Sequence, residues 1–351
     1  MTALPVARRI ALRADASPVL GSGHVMRCLS LAEALRARGA QVHFICRAGP
    51  GHLGGRIQAQ GFGLSLLGAD LSPAQDADQT RAALAAGCDL LLVDHYGLGA
   101  AWEQALRPLC RHLAAIDDLA DRRHAVDLLL DQNLGRQRSD YAALLPAHAS
   151  RLIGPAYALL RPEFAAARAA SLARRPTAGW RHLLLSLGGA DPQQATVQVL
   201  HALARCRLPA DARLTVVLGA LAPTRAQVQA LLPSLPCPTR LLVDVADMAG
   251  LLAEADLAIG AAGGSAWERC CLGLPSLLLV LAENQRSGNR ALVAAGAALA
   301  LGEVADLPTS LPAALRQLAD PGRLQAMSQA AAAITDGQGA ARVADALLAL
   351  H

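Results

Sequence analysis

"RRIALRADASPVLGSGHVMRCLSLAEALRARG", residues 8–39, decides how the chain is to be read. Residues 8–14 read as a β-strand, and residues 24–38 as a helix that Gly39 closes at its C′ position. Between them Gly21 and Gly23 frame Ser22, and His24 follows at once. A dinucleotide-binding fingerprint would need a third glycine at position 26, which is Met26. It would also need a tight turn where six residues separate Ala14 from Gly21. What remains is a loop that delivers His24 to the start of a helix. The glycines permit positive φ and close approach of a ligand. The positive end of the helix favours a neutral imidazole, which can take a proton from water. His24 as a simple helix cap, with Asp15 or Ser22 as alternatives, fits the same residues equally well.

The strand–helix rhythm continues outward. Strands are expected at "QVHFICR", "GLSLL", "CDLLLVDHY", "HLAAIDD" and "DLLLDQN", with helical stretches such as "DQTRAALAAG" and "AAWEQALRPLC" between them. Continuous apolar strands alternating with helices are the signature of a parallel, doubly wound sheet. Residues 151–180 carry Pro155, Pro162 and Pro176 and break the pattern. A second cycle runs through "RHLLLSLGGADPQQ", "RLTVVLG", "TRLLV", "ADLAIGAAGGSAWERCC" and "PSLLLVLAENQ". The expected architecture is α/β, with two Rossmann-like parallel-sheet domains facing across a cleft. The first is expected over 1–155, a linker over 156–179, the second domain over 180–335, and a helix at 336–351 packing back on the first. Ligands in such sheets bind beyond the carboxyl ends of the strands.

Composition removes several function classes. The chain of 351 residues is 53% hydrophobic and has no run near the ~20 residues that span a membrane. With no secretory leader at the start, a cytoplasmic protein without a membrane partner is expected. Every basic residue is arginine, since the sequence contains no lysine. That excludes a Walker P-loop and Schiff-base catalysis. Aromatics are 3% and the arginines are scattered among carboxylates, so nucleic acid is not an expected partner. The eight cysteines show no metal-ligand spacing and read as small buried hydrophobes.

Six further strand ends carry candidate chemistry. Asp94, His95 and Tyr96 follow an apolar strand. Asp117 and Asp118 end the next strand, and Asp131, Gln132 and Asn133 the one after, suited to sugar hydroxyls and amides or to loop capping. In the second half, Gly188, Gly189 and Asp191 form a turn ahead of Pro192 at a helix start. Gly263, Gly264 and Ser265 lead into a helix carrying Glu268, where bare amides suit a pyrophosphate and the carboxylate suits ribose hydroxyls. Asn284 and Gln285 follow the next strand with amide donors and acceptors.

Together, "RADASPVLGSGHVMRCLSLA", "LLVDHYGL", "IDDLADRRHAVDLLLDQN", "LLSLGGADP" and "AGGSAWERCCLGLPSLLLVLAENQ" resemble one family in the same order over residues 10–290. It is that of the UDP-2,4-diacetamido-2,4,6-trideoxy-β-L-altropyranose hydrolases of pseudaminic acid biosynthesis. The resemblance implies a GT-B-like fold and metal-independent hydrolysis to UDP and free sugar, with inversion at C1 and no cofactor. It places the catalytic base on His24 and the uridine diphosphate at Gly263–Glu268. Asp94, Tyr96 and Asn133 are expected to hold the acetamido groups, with Gly21, Gly23, Gly188, Gly189, Asp191, Asn284 and Gln285 around the substrate. The expected partner is the small-molecule UDP-sugar alone, with the protein as a monomer. No acetyltransferase domain, to which some members are fused, is expected after residue 351. A GT-B glycosyltransferase or a UDP-sugar 2-epimerase acting on a related UDP-amino sugar is the alternative, and a silent nucleotide-sugar binder a further one.

Overall fold

The computed structural model describes residues 7–350 except 176–178, 189–190, 192 and 221. The chain divides into two compact units. The first comprises residues 1–161 and 338–351, and the second residues 162–337.

In the first unit β1 (Arg9–Ala14), α1 (Gly23–Arg36), β2 (Gln41–Arg47), α2 (Gly54–Ala59) and β3 (Gly63–Leu67) follow the expected order. They are followed by α3 (Pro73–Ala83), β4 (Cys88–Asp94), α4 (Ala100–Leu106), β5 (Cys110–Ile116), β6 (Leu128–Asp131) and β7 (Ser150–Ile153). The sheet order is β3-β2-β1-β4-β5-β6-β7, and every pairing is parallel. Both faces are covered, which is why the strands read as unbroken apolar runs. In β4, Leu90 and Leu92 join one core cluster while Leu91 and Val93 join the other, as the two-residue pleat requires.

A helix lies within the expected linker. α5 (Pro162–Arg174) opens the second unit and buries Phe164 and Ser171. The unit continues through β8 (His182–Ser186), α6 (Ala195–Leu203), β9 (Arg213–Leu218), α7 (Arg225–Leu231), β10 (Thr239–Val243) and α8 (Met248–Glu254). It is completed by β11 (Leu257–Ala261), α9 (Ser265–Cys271), β12 (Ser276–Leu279), α10 (Arg286–Ala294), β13 (Ala298–Gly302), α11 (Leu307–Gln317) and α12 (Pro321–Ala332). This sheet runs β10-β9-β8-β11-β12-β13, again wholly parallel.

The last helix, α13 (Gly339–Leu348), belongs to the first unit. Val343, Ala344 and Leu347 share a core cluster with Leu31 and Leu35 of α1, and Arg38 reaches Asp345 at 2.6 Å. Gly339 has the backbone of Ala158 against it, so closely that a side chain there would collide with the carbonyl.

In each sheet the chain order reverses once, between β1 and β4 in the first unit and between β8 and β11 in the second. Loops at the carboxyl ends of those strands diverge to opposite faces and leave a crevice, which is where doubly wound sheets bind ligands. The expected site residues lie largely on these loops.

A buried ionic cluster supports the loop after β1. Arg13, fully buried, donates to both oxygens of Asp15 (2.6 and 2.8 Å) and to Asp76 (2.6 and 3.2 Å). Trp102 Nε1 donates to Asp76 at 2.9 Å and the Arg47 amide to Asp15 at 2.7 Å. His95 Nε2 lies 3.5 Å from Asp15. Burial first, then the Arg13 charge, pushes the His95 pKa down to about 4, against the pull of Asp15. The unfolded chain therefore binds the proton first as pH falls, so this histidine's contribution is complete above about 6.5 and lost on the way down to about 4. Thermal melts should show the first unit losing up to about 3 kcal/mol over that window, and His95→Gln should flatten the slope. Parallel melting curves for both proteins would refute the assignment.

Candidate active site

α1 is the helix that follows β1, and His24, its second residue, stands beside the end of β4, the strand adjacent to β1. Gly21 has φ of +74° and its amide donates to the Ser17 carbonyl at 2.8 Å, closing the turn that aims the helix. None of the candidate caps is used as one. Ser22, at the N-cap, makes no side-chain capping bond, and Asp15 is taken by Arg13 and Arg47. His24 turns inward to Asp94.

The His24 ring is buried, with Nδ1 2.6 Å from Asp94 Oδ1. A carboxylate can only accept, so Nδ1 carries the proton and the Nε2 lone pair is left to receive one. Arg27 and Cys28 stand three and four residues further along α1, on the same face. Arg27 donates through Nε to Asp94 Oδ2 (2.6 Å) and through Nη2 to Asp94 Oδ1 (2.5 Å). Its Nη1 donates to both oxygens of Asp118 at 3.0 Å. Tyr96 Oη donates to Asp118 at 3.2 Å, and the Tyr96 ring meets His24 edge to face at 4.7 Å. Asn133 Nδ2 donates to the Asp118 carbonyl at 3.3 Å.

Burial alone would raise the Asp94 pKa, but Arg27 and His24 outweigh it and hold the group well below the usual carboxylate range. Burial likewise works against the Arg27 cation, and Asp118 and Asp94 overcome it. The result is one cation locked between two carboxylates, with the imidazole fixed in a single tautomer. His24, Asp94, Tyr96 and Asn133 are thus brought together. Arg27 and Asp118 join them. The spacing of Arg27 three residues after His24 was the available signal for the first, and the carboxylate pair 117–118 for the second.

Asp117 and Asp131 serve a different purpose. Tyr141 Oη lies within hydrogen-bond distance of both Asp117 (3.0 Å) and Asp131 (2.8 Å), its one proton shared between them, with Arg122 on Asp117 and Arg136 on Asp131. They tie the loops after β5 and β6 together from beneath.

In the second unit the candidate loops also lie at the chain reversal. Gly188 has φ of +103°, and Gly189 lies outside the described residues. The Asp191 carboxylate accepts from the amides of Ala195 (2.9 Å) and Thr196 (3.1 Å), so it caps α6. Gln193 Nε2 donates to the Leu281 carbonyl, and Gln285 Oε1 accepts from the Leu281 amide. The loops after β8 and β12 are thereby pinned beside the β11 turn, where a side-chain carbon on Gly263 would lie 3.8 Å from Gln285 Nε2. Gly264, Ser265 and Asn284 are exposed there, and Glu268 is half-buried one turn into α9. Beneath the turn lies a buried arginine, Arg269, that sequence reasoning did not single out.

Among the described residues no group of three or more His, Cys, Asp or Glu side chains is placed to hold a metal ion. All eight cysteines are free thiols. No described helix is long and apolar enough to cross a membrane.

Comparison with solved structures decides the architecture. MurG of Acinetobacter baumannii superposes with a TM-score of 0.72 at 17% identity, covering 98% of this chain and all of that one. The fold is GT-B. A UDP-N-acetylglucosamine 2-epimerase also superposes on this GT-B chain, with a TM-score of 0.58 at 15% identity, covering 97% and 95% of the two chains. Residues 187–346 match the Glycosyltransferase family 28 C-terminal domain. The spore coat polysaccharide biosynthesis protein SpsG of Bacillus subtilis is 35% identical over 149 residues, 42% of this chain and 43% of that protein. The UDP-2,4-diacetamido-2,4,6-trideoxy-beta-L-altropyranose hydrolase of Campylobacter jejuni is 28% identical over 157 residues, 44% and 53% of the two chains. The chain thus matches about half the length of these curated relatives.

Proposed function

We propose that the protein hydrolyses a UDP-sugar, taken to be UDP-2,4-diacetamido-2,4,6-trideoxy-β-L-altropyranose, to UDP and the free sugar without a metal. The observation that carries this reading is the 2.6 Å contact between His24 Nδ1 and Asp94. It fixes the tautomer in which Nε2 can act as a general base. The five ordered motifs and the 28% identity to the Campylobacter hydrolase support that choice of substrate.

In this reading water attacks C1 while the bond from C1 to the diphosphate oxygen breaks. His24 Nε2 takes the water proton, and UDP leaves with the electron pair. Attack opposite the leaving group inverts C1. A diphosphate spreads its new charge, so no strong acid is needed. The amides of the 263–266 turn stabilise that charge as it develops. Tyr96 and Asn133 remain the choices for the acetamido groups, while Asp94 is committed to His24 and Arg27.

A second reading is favoured by the family 28 match over 187–346 and by the likeness to MurG. It keeps the nucleotide site and passes the sugar to a hydroxyl acceptor. Incubating the protein with candidate UDP-sugars in EDTA and following free UDP separates the two. Release without an acceptor, with the inverted anomer first seen by proton NMR, supports hydrolysis. Release only on adding an acceptor alcohol supports transfer. Glu268→Ala should weaken UDP about tenfold through lost ribose hydrogen bonds. Unchanged affinity would place the uridine elsewhere.

A further inference from the structure

We propose that Arg269 is a positioning residue for a diphosphate, holding the Ser265 hydroxyl as a donor to a phosphate oxygen and supplying positive charge behind the turn. This deepens the reading of the second unit as the UDP-binding one and rests on it.

Arg269 is buried, with 3% exposure, yet all three of its acceptors are neutral. Nε donates to Ser276 Oγ (3.1 Å), Nη1 to Ser265 Oγ (3.2 Å) and Nη2 to the Ala261 carbonyl (2.6 Å). Burial pulls its pKa below the usual arginine value. Arg27 is the reverse case, since two carboxylates there outweigh the burial. At Arg269 the neighbouring Glu268 carboxylate favours the charge but does not outweigh burial. A buried cation whose hydrogen-bond acceptors are all neutral is costly, and an arriving anion relieves that cost.

The fold also makes room for it. A side-chain carbon on Gly260, in the middle of the sheet, would lie 2.5 Å from Nη1 and 2.7 Å from Cζ. The two serines then differ in a telling way. Ser276 accepts from Arg269 and passes its own proton to the Leu274 carbonyl at 3.1 Å. Ser265 accepts from Arg269 too, but among the described residues its proton has no acceptor. Ser265 is exposed beside Gly264, where an added side-chain carbon would meet nothing within 4 Å. A hydroxyl whose lone pair is taken by a cation, and whose proton has no acceptor among the described residues, is a prepared donor for an anionic oxygen.

A purely structural Arg269, stapling β11 to α9 and β12, would affect uridine and UDP alike. The test is calorimetric titration of UDP and of uridine into the wild type, Arg269→Met, Arg269→Lys and Ser265→Ala. The affinity ratio of UDP to uridine should fall about tenfold or more in Arg269→Met and about fivefold in Ser265→Ala. Arg269→Lys should recover part of it, with uridine binding changed less than about twofold throughout. If Arg269→Met fails to fold, Ser265→Ala decides alone, because its side chain is exposed. A ratio kept at the wild-type value in Ser265→Ala overturns the proposal and leaves the UDP reading standing. A wild type that does not prefer UDP to uridine overturns both.

Discussion

His24→Asn should retain UDP binding while losing about 10²–10⁴-fold in the rate of UDP release. The asparagine amide can still reach toward Asp94, so the helix start and its ionic cluster should survive. What disappears is the nitrogen lone pair that the proposed hydrolysis uses to receive the water proton. Asp94→Asn should be nearly as damaging for a different reason. An amide donor facing Nδ1 favours the tautomer with the proton on Nε2, and the base is then occupied. The two variants together should cost little more than either alone, since they disable one device. Near-normal release by His24→Asn would remove this imidazole from the chemistry.

Arg27→Met should produce the largest loss of stability. The substitution leaves Asp94 and Asp118 facing each other without the cation between them, while Asp94 stays fully enclosed. Breaking a buried ion cluster from one side costs about 3–5 kcal/mol. For a unit of this size that lowers the unfolding midpoint by roughly 10 °C. Arg27→Met with Asp118→Asn should recover part of the loss, because one unpaired charge is removed. A loss below about 1 kcal/mol would mean that water reaches the cluster and screens it. Arg27 therefore acts on His24 through Asp94, keeping that carboxylate ionised and oriented.

The sequence carried most of the architecture because the strands are buried on both faces. "CDLLLVDHY" and "PSLLLVLAENQ" could hardly be anything else, and β4 and β12 occupy them. β7, "SRLI", does not stand out, because four residues ahead of Pro155 carry too little apolar length. β13, "ALALG", was hidden within an alanine-rich stretch that suits a helix as well as a strand. The start of α3 was legible in principle, since Ser72 and Gln75 form a reciprocal capping box.

At the site, His24, Asp94, Tyr96 and Asn133 could be chosen because strand ends in doubly wound sheets gather ligands. Arg27 was within reach, one helical turn after His24. Arg269 was not. An arginine on a short helix reads as solvent-facing, and what encloses it is the missing side chain at Gly260 and the packing of β12.

The second unit is continuous, whereas the first is completed only by α13 from beyond residue 337. On the ribosome, residues 162–337 therefore emerge whole before the apolar side of α1 has its cover. Leu31 and Leu35 must wait for Val343 and Leu347. The unit that carries His24 is thus the last to mature, and a chain cut short near its end would keep the second unit whole while losing the shield over the first.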